Sequence, residues 1–130
     1  MPANGDVLLD TSVVIPFFKG DKAVRAQLAG MTIYLPQTVL GELYCGAHLS
    51  SNQAKTRSEI QNFLAAVSVL SPGIGTAEHY GRIRAALAKA GTPIPENDIW
   101  IAALAVEHGL PRAARDAHFD QVADVKILKW

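Results

Sequence analysis

The chain has almost no cysteine, no excess charge of either sign and no long apolar run, and each lack removes a class of protein. Its single Cys45 cannot close an internal disulfide, so a disulfide-stapled scaffold is excluded and a reducing compartment fits. Flanked by Tyr44 and Gly46, that thiol reads as core filling. Lysine plus arginine equals aspartate plus glutamate at 12 each, so no global basic field marks a nucleic-acid binder. Any such contact must come from a local patch. No apolar stretch reaches membrane-spanning length, and Met1 to Asp6 lacks the charged and apolar blocks of a signal peptide. The expectation is a cytoplasmic protein with no membrane partner. His48, His79, His108 and His118 show no zinc-motif spacing, and with one cysteine a zinc site is disfavoured.

What is present is 49% hydrophobic residues in a chain of 130, enough to bury the core of a single domain spanning residues 1–130. Val7-Leu8-Leu9 is a continuous apolar run that ends in Asp10-Thr11-Ser12, the pattern of a buried strand delivering polar groups at its carboxyl end. Asp21 can cap a helix whose apolar side is Val24, Leu28 and Ala29. Thr32 to Leu35 reads as a second strand, and a helix from Thr38 to Leu49 buries Val39, Leu40, Leu43, Tyr44 and Ala47, with Glu42 just off that stripe. A helix over Ser51 to Ala66, a strand over Val67 to Leu70 and a helix from Thr76 to Lys89 follow. Pro95 then opens a nearly all-apolar helix that places Asp98 in its first turn and stops at Gly109. Leu110 to Asp116 is a strand by position, although Arg112-Ala113-Ala114 is a weak strand sequence, and Val125 to Leu128 is the last strand, with Trp130 packing the chain end. Strands alternating with helices, and no hairpin turn between neighbouring strands, predict an α/β fold with a parallel sheet covered on both faces.

Ligands of such sheets bind beyond the carboxyl ends of the strands. Asp10 and Asp116 follow the first and fourth strands, Glu42 lies in the helix reached from the second, and Asp98 begins a helix, so all four can meet at one edge. Singly, each has an ordinary role as a cap, turn or solvated acid. Together they repel unless some are protonated or a cation neutralises them. Oxygen-only ligands suit Mg²⁺ or Mn²⁺. With no nucleophile–base pair in view, acids holding a divalent ion are equipment for hydrolysing phosphodiesters, and single-stranded or looped RNA reaches such a site more easily than a regular duplex.

Four segments taken in order, Leu8-Leu9-Asp10-Thr11-Ser12, Gly41-Glu42-Leu43, Pro95-Glu96-Asn97-Asp98-Ile99-Trp100-Ile101-Ala102-Ala103 and Arg115-Asp116-Ala117-His118-Phe119, resemble the successive motifs of PIN-domain ribonucleases, most closely the VapC-type toxins of toxin–antitoxin pairs. The resemblance runs from about residue 7 to the end. It implies a PIN-like three-layer α/β/α fold with a five-stranded parallel sheet, Mg²⁺- or Mn²⁺-dependent endoribonuclease activity, a homodimer and inhibition by a cognate VapB-type antitoxin. It also implies an RNA substrate with exposed loops, tRNA included. Asp10, Glu42 and Asp98 match the family's acidic core, Asp116 a fourth and more variable acid, and Thr11 and Ser12 hydroxyl positions near the metal. One departure stands out. Where such toxins commonly have an apolar residue and then a Thr or Ser before the Arg-Asp pair, this chain has Arg112 and Ala114. The missing hydroxyl at Ala114 removes a hydrogen bond that would steady Asp116.

Two other classes share this chain's size and acids but want motifs at positions where it has other residues. A receiver-type signalling domain needs an acid pair after the first strand and an Asp at the third strand's exit, where Ser71-Pro72-Gly73 stands, and a haloacid-dehalogenase-like phosphatase needs a second Asp where Ser12 is. A catalytically silent PIN-like or receiver-type protein-interaction module is the alternative. RNA affinity is expected from local cations such as Lys19, Lys22, Arg82, Arg84, Arg112 and Arg115.

Overall fold

The computed structural model describes residues 5–115, 122 and 125–130. Strand β1 (Asp6–Leu9) leads through α1 (Thr11–Phe18) and α2 (Lys22–Leu28) to β2 (Thr32–Pro36). Helices α3 (Gln37–Leu49) and α4 (Gln53–Leu64) carry the chain to β3 (Val67–Leu70), α5 (Ile74–Ala90) and α6 (Glu96–His108) to β4 (Arg112–Ala114), and β5 (Ile127–Lys129) comes last. Each two-helix connection is a crossover, and the five strands are all parallel in the order β3-β2-β1-β4-β5. The helix count alone left strand direction open. The pairings settle it.

Strand β1 is the centre of the sheet. Val7, Leu8 and Leu9 have no exposed surface, and because consecutive strand residues point to opposite faces, both faces there are covered. Leu8 stands opposite Tyr34 of β2 on one side and Arg112 of β4 on the other. Since β1 leads on to β2 in one direction and β4 arrives from the other, the crevice beyond the β1 and β4 exits is the topological switch point, where open α/β sheets bind ligands.

Helix α6 is the buried support beside that crevice. Ile99, Ile101, Ala102, Ala103, Leu104 and Ala105 are all buried, and Gly109 ends the helix with φ 62°, a left-handed conformation that glycine adopts without a Cβ clash. Helix α5 packs along it. It begins at Ile74, before Thr76, and the Thr76 hydroxyl accepts from the Gly73 N–H at 3.0 Å while donating to the Glu107 carboxylate of α6.

Local expectations are corrected at two places and met at a third. Cys45 is exposed, because the buried stripe of α3 is Val39, Leu43 and Ala47 and a residue two past Leu43 falls on the far side. Arg112-Ala113-Ala114 forms the strand its position predicts, since backbone pairing with β1 and β5 overrides its poor propensity and α1 packs against it. Its Arg112 is completely buried. The last strand starts at Ile127, two residues later than the apolar pattern suggests.

Candidate metal centre at the sheet edge

Asp10 is the residue on which the site is built. As the first position beyond β1 it has extended backbone and caps α1, its Oδ2 accepting from the Ser12 N–H at 3.1 Å and from the Ser12 hydroxyl at 2.6 Å. The Ser12 hydroxyl in turn accepts from the Arg115 N–H at 2.9 Å, which ties the exit of β4 to the start of α1. Asp10 is only 2% exposed. Burial pushes its carboxyl towards the neutral form, but the Arg112 charge and the Ser12 and Arg112 hydrogen bonds outweigh it and hold the group below the usual carboxylate range.

The partner that makes this possible is Arg112, which by sequence alone falls among the local cations expected to bind RNA. The structure overturns that assignment. Its guanidinium Nη2 lies 2.6 Å from Asp10 Oδ1 and 3.8 Å from Asp98 Oδ1, and Nη1 approaches the Asp98 carbonyl oxygen at 3.5 Å. One cation therefore spans carboxylates delivered by β1 and α6. An arginine in an interior strand of a sheet whose edge gathers acids was the available signal, because buried carboxylates need a counter-charge.

Asp98 sits in the first turn of α6, its N–H bonded to the Pro95 carbonyl at 3.0 Å, and its side chain is about one-seventh exposed, at 15%. Glu42 is exposed on α3 and is fastened from the other side, its Oε2 accepting from the Thr11 hydroxyl at 2.7 Å. Thr11 and Ser12, neighbours in sequence, thus each hold one acid. Asp116 lies outside the described residues. Among the described residues no three His, Cys, Asp or Glu side chains come together closely enough to ligate one ion. The donors that do converge are carboxylate and hydroxyl oxygens, the hard set that Mg²⁺ and Mn²⁺ take, so the residues fit such an ion in kind, with one positive charge already among them.

Of the other expected RNA cations, Arg115 pairs with Asp21 at 3.0 Å and its Nε donates to the Trp130 carbonyl at 3.1 Å, while Arg84 donates to the Tyr80 hydroxyl at 2.8 Å and lies 3.8 Å from Glu96. Lys19 and Lys22 are exposed. Beside Glu42 opens a largely apolar cleft of about 330 Å³ between α1, α3 and α4, lined by Ile15, Phe18, Lys19, Leu43 and Ile60.

An acid-lined crevice at the β1–β4 switch point of this sheet is the arrangement of a PIN domain, and the PIN domain family model matches residues 7–125: the chain belongs to that family. Within it the resemblance is to VapC proteins. The chain is 31% identical over 127 residues to Ribonuclease VapC2 of Haemophilus influenzae, covering 95% of this chain and 96% of the relative. It is 29% identical over 127 residues to the tRNA(fMet)-specific endonuclease VapC of Shigella flexneri, with the same coverage of 95% and 96%. Among solved structures, DNA-bound VapBC from Salmonella typhimurium superposes with a TM-score of 0.88 at 25% identity, over 96% of this chain and 98% of that one.

Proposed function

We propose that this chain is a Mg²⁺- or Mn²⁺-dependent endoribonuclease, the toxin of a VapBC-type pair, acting on RNA phosphodiesters and restrained by a cognate VapB-type antitoxin. The observation that carries the reading is the approach of Asp10 and Asp98 to one guanidinium at the switch point, while Glu42 is fastened to Thr11, the residue after Asp10. A divalent cation held by these oxygens supplies Lewis-acid activation of water and charge neutralisation at the scissile phosphate.

The chain's own contribution is aim and charge. Ser12 and Arg112 keep Asp10 ionised and immobile, Thr11 directs Glu42, and the buried face of α6 fixes Asp98. Glu42, on the exposed rim, is the acid that an incoming RNA strand meets first. Asp116 is assigned to the same site as a fourth acid. Lys19 and Lys22 supply the local positive charge for RNA, so binding should weaken steeply with salt. The apolar cleft next to Glu42 is the surface we assign to the antitoxin, which there would screen the acids from RNA, and the active form is a homodimer in the cytoplasm.

The discriminating variant is Glu42→Gln. Glu42 is solvent-exposed, so the exchange should change stability by less than about 0.5 kcal/mol. RNA cleavage should nevertheless fall by about 100-fold or more, as for the loss of a group that acts on the reacting centre. Undiminished cleavage would remove Glu42 from the machinery. The neutralising Arg112 favours one second reading, a catalytically silent interaction module, for which wild-type protein cuts nothing with any divalent ion.

A further inference from the structure

We propose that Arg112 is the resident cation of the acid cluster and competes with divalent metal for the carboxylates of Asp10 and Asp98. The inference rests on the metal reading of the site given above and adds to it a built-in antagonist. Arg112 has no exposed surface, and one guanidinium nitrogen lies within 2.6 Å of Asp10 Oδ1 and 3.8 Å of Asp98 Oδ1. A cation between two carboxylates relieves their repulsion, which is the electrostatic service a bound metal would otherwise perform. The other Asp10 oxygen already accepts two hydrogen bonds from Ser12. Every Asp10 oxygen therefore has a partner before any metal arrives.

Mg²⁺ requires close, nearly octahedral oxygen ligands and gives up water reluctantly. To bind here it must take lone pairs that face the guanidinium, and it must do so beside a fixed positive charge. Arg112 thus holds the two carboxylates in order and weakens their affinity for the ion. The device lies in this chain's own fourth strand and needs no partner protein.

The test is Mn²⁺ binding to the full chain, followed by calorimetry or by the electron spin resonance of free Mn²⁺, in wild type, Arg112→Leu and Arg112→Lys. Removing a unit charge a few ångströms from the ion should tighten binding about tenfold or more in Arg112→Leu, while Arg112→Lys, which keeps the charge, should stay within about threefold of wild type. Equal or weaker binding in Arg112→Leu overturns the inference and makes Arg112 a support of the metal site. Absence of Mn²⁺ binding in all three proteins overturns the metal reading as well, so the two failures are distinct. Should the leucine variant not fold, wild-type protein answers alone: saturating Mg²⁺ should shift the Arg112 guanidinium NMR signals and speed their hydrogen exchange. If those signals stay in place at a Mg²⁺ concentration that moves the Asp10 and Asp98 amides, the two cations do not compete.

Discussion

Replacing Asp10 with alanine strands a completely buried guanidinium, and the resulting loss of stability can be worked from the geometry. Breaking a buried ion pair from one side costs about 3–5 kcal/mol, because the remaining charge loses its partner without regaining water. Arg112 keeps its weaker approaches to the Asp98 carboxylate at 3.8 Å and carbonyl at 3.5 Å, which points to the lower end, about 3 kcal/mol. For a domain of this size that is a fall in Tm of roughly 10 °C, out of a total stability of about 5–15 kcal/mol. Arg112→Leu is also destabilising in the absence of metal, since it leaves Asp10 buried with only the Ser12 bonds. In the double variant Asp10→Ala/Arg112→Leu neither charge is left, and its cost should be smaller than the sum of the singles by about 2 kcal/mol or more. The assay is urea unfolding of all four proteins in EDTA. Costs that add to within about 0.5 kcal/mol would show that Asp10 and Arg112 do not depend on one another, and the account of the buried pair would fail.

Further expectations follow from the fold around the site. Leu104→Ala, at a fully buried position of α6, should cost about 2–5 kcal/mol in thermal or urea unfolding, and should cost the same with and without metal. Asp21 is held below the usual aspartate range first by the Val24 N–H and then by Arg115, so its stabilising effect is full above the ordinary pKa of about 4 and is lost as pH falls through the lowered one. Wild type and Asp21→Ala should therefore differ in stability at neutral pH and converge in acid, as acid titrations followed by circular dichroism will show. Cys45, being exposed, should react fully with a thiol reagent in the native protein, and Cys45→Ser should alter stability by less than about 0.5 kcal/mol; a thiol that reacts only after unfolding would contradict its placement.

The parts of the molecule legible in the sequence are those where one physical rule acts alone. Val7-Leu8-Leu9 is apolar on both faces because β1 is central, and Asp10 ends it because a polar cap is needed for α1. The helix from Glu96 to His108 announced itself through its proline start, glycine stop and apolar body. Acids at 10, 42 and 98 could be placed at one edge because parallel strands share their exits, and two of them, Asp10 and Asp98, do approach a common partner there. Arg112-Ala113-Ala114 is legible as a strand only by its position in the alternation, because its residues carry little strand signal and the pairing with both neighbouring strands supplies the rest. What the sequence alone misplaces depends on tertiary context. By residue type Arg112 is a solvated cation, whereas its place in an interior strand between Asp10 and Asp98 decides the matter. Cys45 was misplaced by its neighbours in sequence, although the i, i+4, i+8 spacing of Val39, Leu43 and Ala47 already turned it outward.

The central claim is that the acids at the β1–β4 crevice make this PIN domain a metal-dependent endoribonuclease. Its most direct test is incubation of wild type and Asp98→Asn with total RNA, with Mn²⁺ or with EDTA, followed by mapping of the new ends. Wild type should make internal cuts at defined positions only with Mn²⁺, and folded Asp98→Asn should make none. Absence of any Mn²⁺-dependent cut by wild type, or full activity in Asp98→Asn, would contradict the account.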